Sequence, residues 1–259
     1  MRVWSVEWPE GLMPESFAWA EIARSFKATD GDILVTNEMP FGYWAPTRQM
    51  FSEERAREWE LVHEQGLDAL NALPFKAIVS SRPILEGKKL ANEAFALVGG
   101  RYEALHQKHL FPAENGWHEQ SWFETRTKGY DVANVAGLAI GVLLCTEAMF
   151  PEKARWLGKL GADVIAVPRA TGTNQRMWKT ALAMASIVSG AYVVSSNREG
   201  QRDKASPRFG GGGIIYDCDG EEVAATSREN TAVSTTVDKT LSSAAKSRYP
   251  VYVRDTIAN

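Results

Sequence analysis

Short apolar runs alternate with longer runs at helical spacing along the 259-residue chain. In “FAWAEIARSF”, Phe17, Ala20 and Phe26 recur near helical spacing, and “DILVT”, from Asp32, follows as a short buried strand. Ser52 is placed to cap the next helix. Glu53 and Glu54 suit its positive N-terminal end, and the pattern carries it to about Leu73. “KAIVSS” and “AFALVGG” read as strands, broken by turn chemistry around Arg82-Pro83 and Glu86-Gly87. “VAGLAIGVLLC” is strand again, in two pieces. Pro151 to about Leu160 reads as helix stopped at Gly161, and “ADVIAVP” as a strand ended by Pro168. A helix from about Asn174 to Ser189 precedes four strands, “AYVVSSN”, “GGIIYD”, “EEVAATS” and “AVSTTVD”, and a short mixed tail, “AAKSRYPVYVRD”. Continuous apolar strands alternating with helices predict an α/β protein whose sheets are covered on their faces.

Composition narrows the function classes. With 44% hydrophobic residues the chain can bury one substantial core, and residues 1–259 are expected to form a single domain. No apolar run reaches the ~18 residues of a membrane span. The opening “MRVWSVEWPEG” has no basic region followed by an apolar core, so no signal peptide is expected. A formal charge of -3 gives no sign of a polyanion partner, since nucleic-acid binding usually leaves a basic face. The two cysteines, Cys145 and Cys218, make no disulfide framework, and a reduced, cytoplasmic setting is expected. “FGGGG”, from Phe209, lacks the order of a dinucleotide loop, and no metal motif such as HExxH or CxxC occurs.

Candidate chemistry centres on “GVLLCTEAMFPEKAR”, which places Cys145 where a buried strand stops and a helix begins. Most free cysteines are small buried hydrophobes. A thiol at a strand end, however, sits at the mouth of an α/β sheet, where substrates bind. None of the four histidines, His63, His106, His109 and His118, stands in a protease-like context, so another group would take the thiol proton. Glu38 stands just past “DILVT”, and if the two strands are parallel neighbours, acid and thiol share one rim. A carboxylate taken partly out of water suits a base near neutral pH. Lys108 precedes Pro112 by four residues and Glu119 follows it by seven. Most lysines are simply surface residues, but a fixed one stabilises an oxyanion. Arg169, after Pro168, either clamps a substrate carboxylate or, more commonly for such an arginine, pairs with a local acid. Trp44, Trp117 and Trp122 suit either a pocket or the core. Cys218 has no visible partner.

These segments together resemble the nitrilase superfamily of carbon–nitrogen hydrolases, which use a glutamate, a lysine and a cysteine in that order. The family's cysteine segment has the form C-x-[DE]-x-x-F-P-E-x-x-R, and Cys145, Glu147, Phe150, Pro151, Glu152 and Arg155 match it. “GADVIAVPRAT”, “GAYVVSSNREG” and “FGGGGIIYDCDGE” resemble the family's later strands. Lys108, Glu119 and Glu38 (followed by Gly42-Tyr43) match its remaining motifs, so the resemblance spans nearly the whole chain. Asn37 stands where the family usually has proline. Leu110 stands where it usually has histidine, with His109 shifted by one. These departures alter local register and pocket shape and remove no reactive group.

The resemblance implies a four-layer α-β-β-α sandwich and a thioester mechanism. In it, Glu38 is the base, Cys145 the nucleophile, Lys108 and the Thr146 N–H the oxyanion donors, and Glu119 the group that orients substrate and tunes Lys108. Tyr43, Trp117 and Arg169 are its candidate substrate contacts. It implies no metal or organic cofactor, a small-molecule amide as substrate, no nucleic-acid or membrane partner, and a homodimer or larger homo-oligomer formed through helical faces, onto which the tail “YPVYVRD” could dock. Thr146-Glu147 after the cysteine, in place of the Trp-Glu of nitrilases, and the lack of arginines there favour an amidase. A nitrilase, a carbamoylase, an acyl transferase or a catalytically silent binding member are the alternatives.

Overall fold

The structure, a computed structural model, describes residues 1–26 and 29–254; for residues 29–31 only the backbone is described. Asp255 of the tail segment lies outside the described residues. In chain order the first half contains β1 (Arg2–Pro9), α1 (Phe17–Ser25), β2 (Thr29–Val35), α2 (Glu53–Asn71), β3 (Phe75–Glu86), β4 (Lys89–Val98), β5 (Arg101–Gln107) and the single turn α3 (Glu119–Trp122). The second half contains β6 (Val132–Val135), β7 (Leu138–Val142), a 3₁₀ helix (Cys145–Met149), α4 (Pro151–Lys159), β8 (Val164–Arg169), α5 (Gln175–Ser189) and β9 (Tyr192–Gly200). It closes with β10 (Phe209–Gly210), β11 (Ile214–Tyr216), β12 (Glu222–Ala225), β13 (Ala232–Thr236) and α6 (Lys239–Lys246).

Two sheets face each other. One runs β13-β1-β2-β3-β4-β5, with β1, β2 and β3 parallel. The other runs β6-β7-β8-β9-β11-β12, with β7, β8 and β9 parallel. β1 joins them: Val3 to Ser5 pair with β2, and Glu7 to Pro9 pair with β9. Between the sheets lies a core of small and branched side chains, among them Val35, Val79 and Ala94 from one and Ile140, Ala166 and Val194 from the other. Leu182 and Ala185 of α5 and Leu157 of α4 cover the outer face of the second sheet. Trp19 of α1 and Leu70 of α2 cover that of the first. The result is the expected α-β-β-α sandwich.

Local chemistry explains most element ends. Ser52 caps α2 by accepting from the Arg55 N–H, and Asn174 caps α5 through the Met177 N–H. Pro151 occupies the first turn of α4, where its missing N–H costs nothing. The expected break at Arg82-Pro83 is absent. β3 runs unbroken to Glu86, and the turn falls at Gly87 with φ +76°. Pro83 is tolerated because β2 pairs with β3 only as far as Val79, which leaves one edge of β3 without a ladder to feed. β1, β5 and α6 were not legible in the pattern. β5 is a half-exposed edge strand rich in polar residues, and β1 serves two sheets and so lacks a clean alternation.

Candidate active site

The expected rim of adjacent parallel strands is not how acid and thiol meet. Glu38 lies three residues beyond β2 in the first sheet, and Cys145 three residues beyond β7 in the second. The two strand ends face each other across the sandwich, and the Glu38 N–H donates to the Arg169 carbonyl at the end of β8 (3.1 Å). Cys145 opens the 3₁₀ helix with φ +52°, a left-handed conformation that a side chain rarely adopts. Such strain costs on the order of 1–3 kcal/mol and persists only where the surroundings enforce it.

Lys108 follows β5 directly and is fully buried. Its Nζ donates to Glu38 Oε1 (3.0 Å) and to Glu119 Oε2 (2.6 Å), and both carboxylates are fully buried. Asn92 of β4 donates a second hydrogen bond to Glu38 Oε1 (2.8 Å). Among the described residues Glu38 Oε2 and Glu119 Oε1 have no hydrogen-bond partner, so each carboxylate keeps one oxygen for other work. Burial alone would lower the Lys108 pKa; the charges of Glu119 and Glu38 outweigh it and hold the ammonium above its ordinary range. Burial raises Glu119 to about 7, against the pull of Lys108. Burial and the charges of Glu38 and Glu119 push the Cys145 thiol well above its ordinary value, so it rests protonated and needs a base to become a nucleophile.

Glu147, two residues after the thiol, ties the lysine segment to the cysteine turn. Its Oε1 accepts from the His109 N–H (2.8 Å) and Tyr130 Oη (3.0 Å), its Oε2 from His106 Nε2 (2.7 Å) and the Leu144 N–H (2.8 Å). His106 Nδ1 accepts from the Tyr130 N–H, which leaves the proton on Nε2. Burial alone would raise the Glu147 carboxyl; His106 and the backbone donors outweigh it and hold it below its usual range. His106, His109 and Glu147 are also the one group among the described residues with metal-ligand spacing. The hydrogen bonds already use both Glu147 oxygens and both His106 nitrogens, and the cluster is a brace.

Cys145, Glu119, Thr146 and Trp117 line one cavity of about 270 Å³, together with Thr173 and Trp178. Trp117 Nε1 donates to the Ala170 carbonyl (3.1 Å), which fixes the ring. Tyr43 does not reach this cavity. It is half exposed over a separate hollow beside Trp59, under the Arg202 guanidinium. Arg169 is not among the residues that line this cavity, and among the described residues it pairs with no acid. Fully buried, it donates to Ser195 Oγ (2.6 Å), Thr171 Oγ1 (3.3 Å) and the Gly212 carbonyl (2.7 Å), all neutral. Desolvation lowers its pKa to about 10. Trp44 and Trp122 are core residues. The sequence reading missed Asn92 and His106; an amide inside the apolar strand “LANEAFALV” was the available signal for Asn92.

A sequence profile described as carbon-nitrogen hydrolase matches residues 77–247, more than half of the chain. The chain is 28% identical over 205 residues to a glutamine-dependent NAD(+) synthetase of Xanthomonas campestris pv. campestris, covering 77% of this chain and 36% of that protein. It is 30% identical over 129 residues to a nitrilase of Pyrococcus abyssi, covering 48% of this chain and 45% of that one. The chain thus spans less than half the length of either relative. Among solved structures, a carbon-nitrogen hydrolase from Helicobacter pylori G27 superposes with a TM-score of 0.83 at 17% identity, over 97% of this chain and 94% of that one. A mutant of the Nesterenkonia AN1 amidase, in which the acetamide moiety of fluoroacetamide is joined to the active site cysteine, gives 0.73 at 19% identity over 96% and 94%.

Proposed function

Because the chain belongs to the carbon-nitrogen hydrolase family, we propose that it hydrolyses a small amide through a thioester on Cys145. The observation that carries this reading is the buried Lys108 ammonium held between Glu38 and Glu119 beside a protonated thiol. In the proposed cycle Glu38 takes the thiol proton as sulfur attacks the carbonyl carbon. The developing oxyanion is met by Lys108 and the Thr146 N–H, in the first helical turn, where N–H groups have no intrahelical partner. Glu38 returns the proton to the departing amine, then activates the water that cleaves the thioester. Glu119, with one oxygen on Lys108 and one free, orients the substrate.

Thr146-Glu147 after the thiol, and a cavity of about 270 Å³ with no basic lining residue among those described, favour a small neutral amide over a nitrile or an N-carbamoyl amino acid. The test is intact mass after mixing with panels of amides, N-carbamoyl compounds and nitriles, for the wild type and Cys145→Ala, with ammonia followed in parallel. An acyl adduct and ammonia from amides with the wild type alone is expected. Fast nitrile turnover with inert amides would overturn the substrate assignment.

We also place the protein in a reducing compartment, since both cysteines are buried and unpaired, and read it as a homo-oligomer. Trp156 of α4, Leu160 just past its end and Met184 of α5 leave 50%, 42% and 44% of their surface exposed, an apolar face that a second copy would cover. A monomeric mass by light scattering at working concentration would argue against it.

A further inference from the structure

The segment that carries Glu38 is strained and is held from one side by a single guanidinium. Met39, next to Glu38, has φ +44°, a conformation that favours glycine. Its N–H donates to Ser81 Oγ (2.9 Å). Arg198, on β9 of the opposite sheet, is fully buried. Its Nη2 donates to the carbonyls of Met39 and Glu38 (3.4 Å to the latter), and its Nη1 to the Gly42 carbonyl (3.0 Å). The same Nη1 forms an ion pair with Glu10, just past β1, whose other oxygen accepts from the Trp44 N–H (2.8 Å). Trp44 and Phe209 flank the guanidinium, 5.8 and 5.5 Å from ring centroid to Cζ. Every carbonyl that Arg198 grips lies between Glu38 and Gly42, and Glu10 both neutralises it and fixes the end of the same loop.

We propose that Arg198, oriented by Glu10, is a positioning residue that sets where the Glu38 carboxylate stands relative to Cys145. The proposal rests on the reading of Glu38 as the base. A planar fork of N–H groups reaches three carbonyls at once, which a lysine ammonium on a flexible stem does not. Without the fork the left-handed turn at Met39 is free to relax, and the carboxylate moves with it. A displacement of about 1 Å at a reacting group costs on the order of 10²-fold in rate. Neither Arg198 nor Glu10 is among the residues that line the Cys145 cavity, so the loss belongs in kcat and not in KM.

The test uses the full chain with Glu10→Gln, which keeps the shape and the acceptor for Trp44 but removes the charge, and Arg198→Lys, which keeps the charge but loses the fork. Both are compared with the wild type by kcat and KM on the best amide, and by hydrogen exchange of the amides from Glu38 to Gly42. The expected result is faster exchange confined to that loop, and kcat lowered by about tenfold to 10²-fold with KM nearly unchanged. Arg198→Lys should be the weaker enzyme, since the fork does the gripping. Wild-type exchange and kcat within about twofold in both variants would overturn the proposal. So would equal losses in kcat and melting temperature with exchange quickened throughout the chain, because that is general destabilisation. If the wild type turns over no amide, the amidase reading fails separately, and the loop-specific exchange contrast still decides what Arg198 holds.

Discussion

Replacing Lys108 with methionine, a side chain of similar length, leaves Glu38 and Glu119 buried together without their cation. In the wild type its ammonium lies 3.0 Å from one and 2.6 Å from the other, with none of the three exposed. Removing one partner of a buried ion pair costs about 3–5 kcal/mol, because the remaining charge is left uncompensated. At roughly 2–4 °C per kcal/mol for a domain of this size, the melting temperature should fall by about 6–20 °C at pH 8. The penalty must depend on pH. Glu119 already holds its proton up to about 7 with the lysine present, and without the lysine one of the two carboxyls must stay protonated to remain buried. The folded variant then binds more protons than its unfolded chain above the ordinary carboxylate range, so its stability falls as pH rises. Calorimetry of both proteins from pH 5 to pH 8 should show the gap between them widening. A constant or narrowing gap would refute the reading of two carboxylates sharing one cation. Turnover gives the second check: loss of one oxyanion donor costs about 10²–10³-fold in kcat, and a variant within about tenfold of wild type would remove Lys108 from that role.

Glu38→Gln should slow alkylation of Cys145 by iodoacetamide at least about 100-fold at neutral pH, because burial holds the thiol protonated and leaves no other acceptor in the proposed cycle; an unchanged rate by mass spectrometry would point to a different base. Glu147→Gln keeps the volume but turns an NH₂ group toward two of four donors, so it should lose about 3 kcal/mol or more and most of the turnover; chemical denaturation and kcat check both. The Glu119 contribution to stability should decline as pH rises from about 4.5 through about 7, the window in which folded Glu119 retains a proton that the unfolded chain has released; it is read as the difference between wild type and Glu119→Gln, because His63, whose pKa burial lowers to about 3, adds an opposite slope common to both, and a difference that grows in favour of the wild type across that window would contradict the Glu119 assignment. Tyr43→Ala should leave KM for the best amide unchanged, since the ring lies over a different hollow from the Cys145 cavity.

The order of strands and helices was legible because apolar periodicity and caps such as Ser52 and Asn174 are local properties, set by residues a few positions apart. The identities of Glu38, Lys108, Glu119 and Cys145 were legible for a similar reason: each sits in a short motif or at a strand end, and the cysteine segment is specific enough to imply the fold. Tertiary structure decided what depends on distant residues. It showed that acid and thiol meet across two sheets, and that Pro83 stays within a strand because β2 stops short of it. It turned Arg169 toward neutral oxygens and Tyr43 away from the cavity, and it brought His106 onto the Glu147 carboxylate. Burial also set the charges. The Cys145 thiol, the Lys108 ammonium and the Glu119 and Glu147 carboxyls have ordinary values in a free chain and depart from them only when water is removed and they are left to their neighbours.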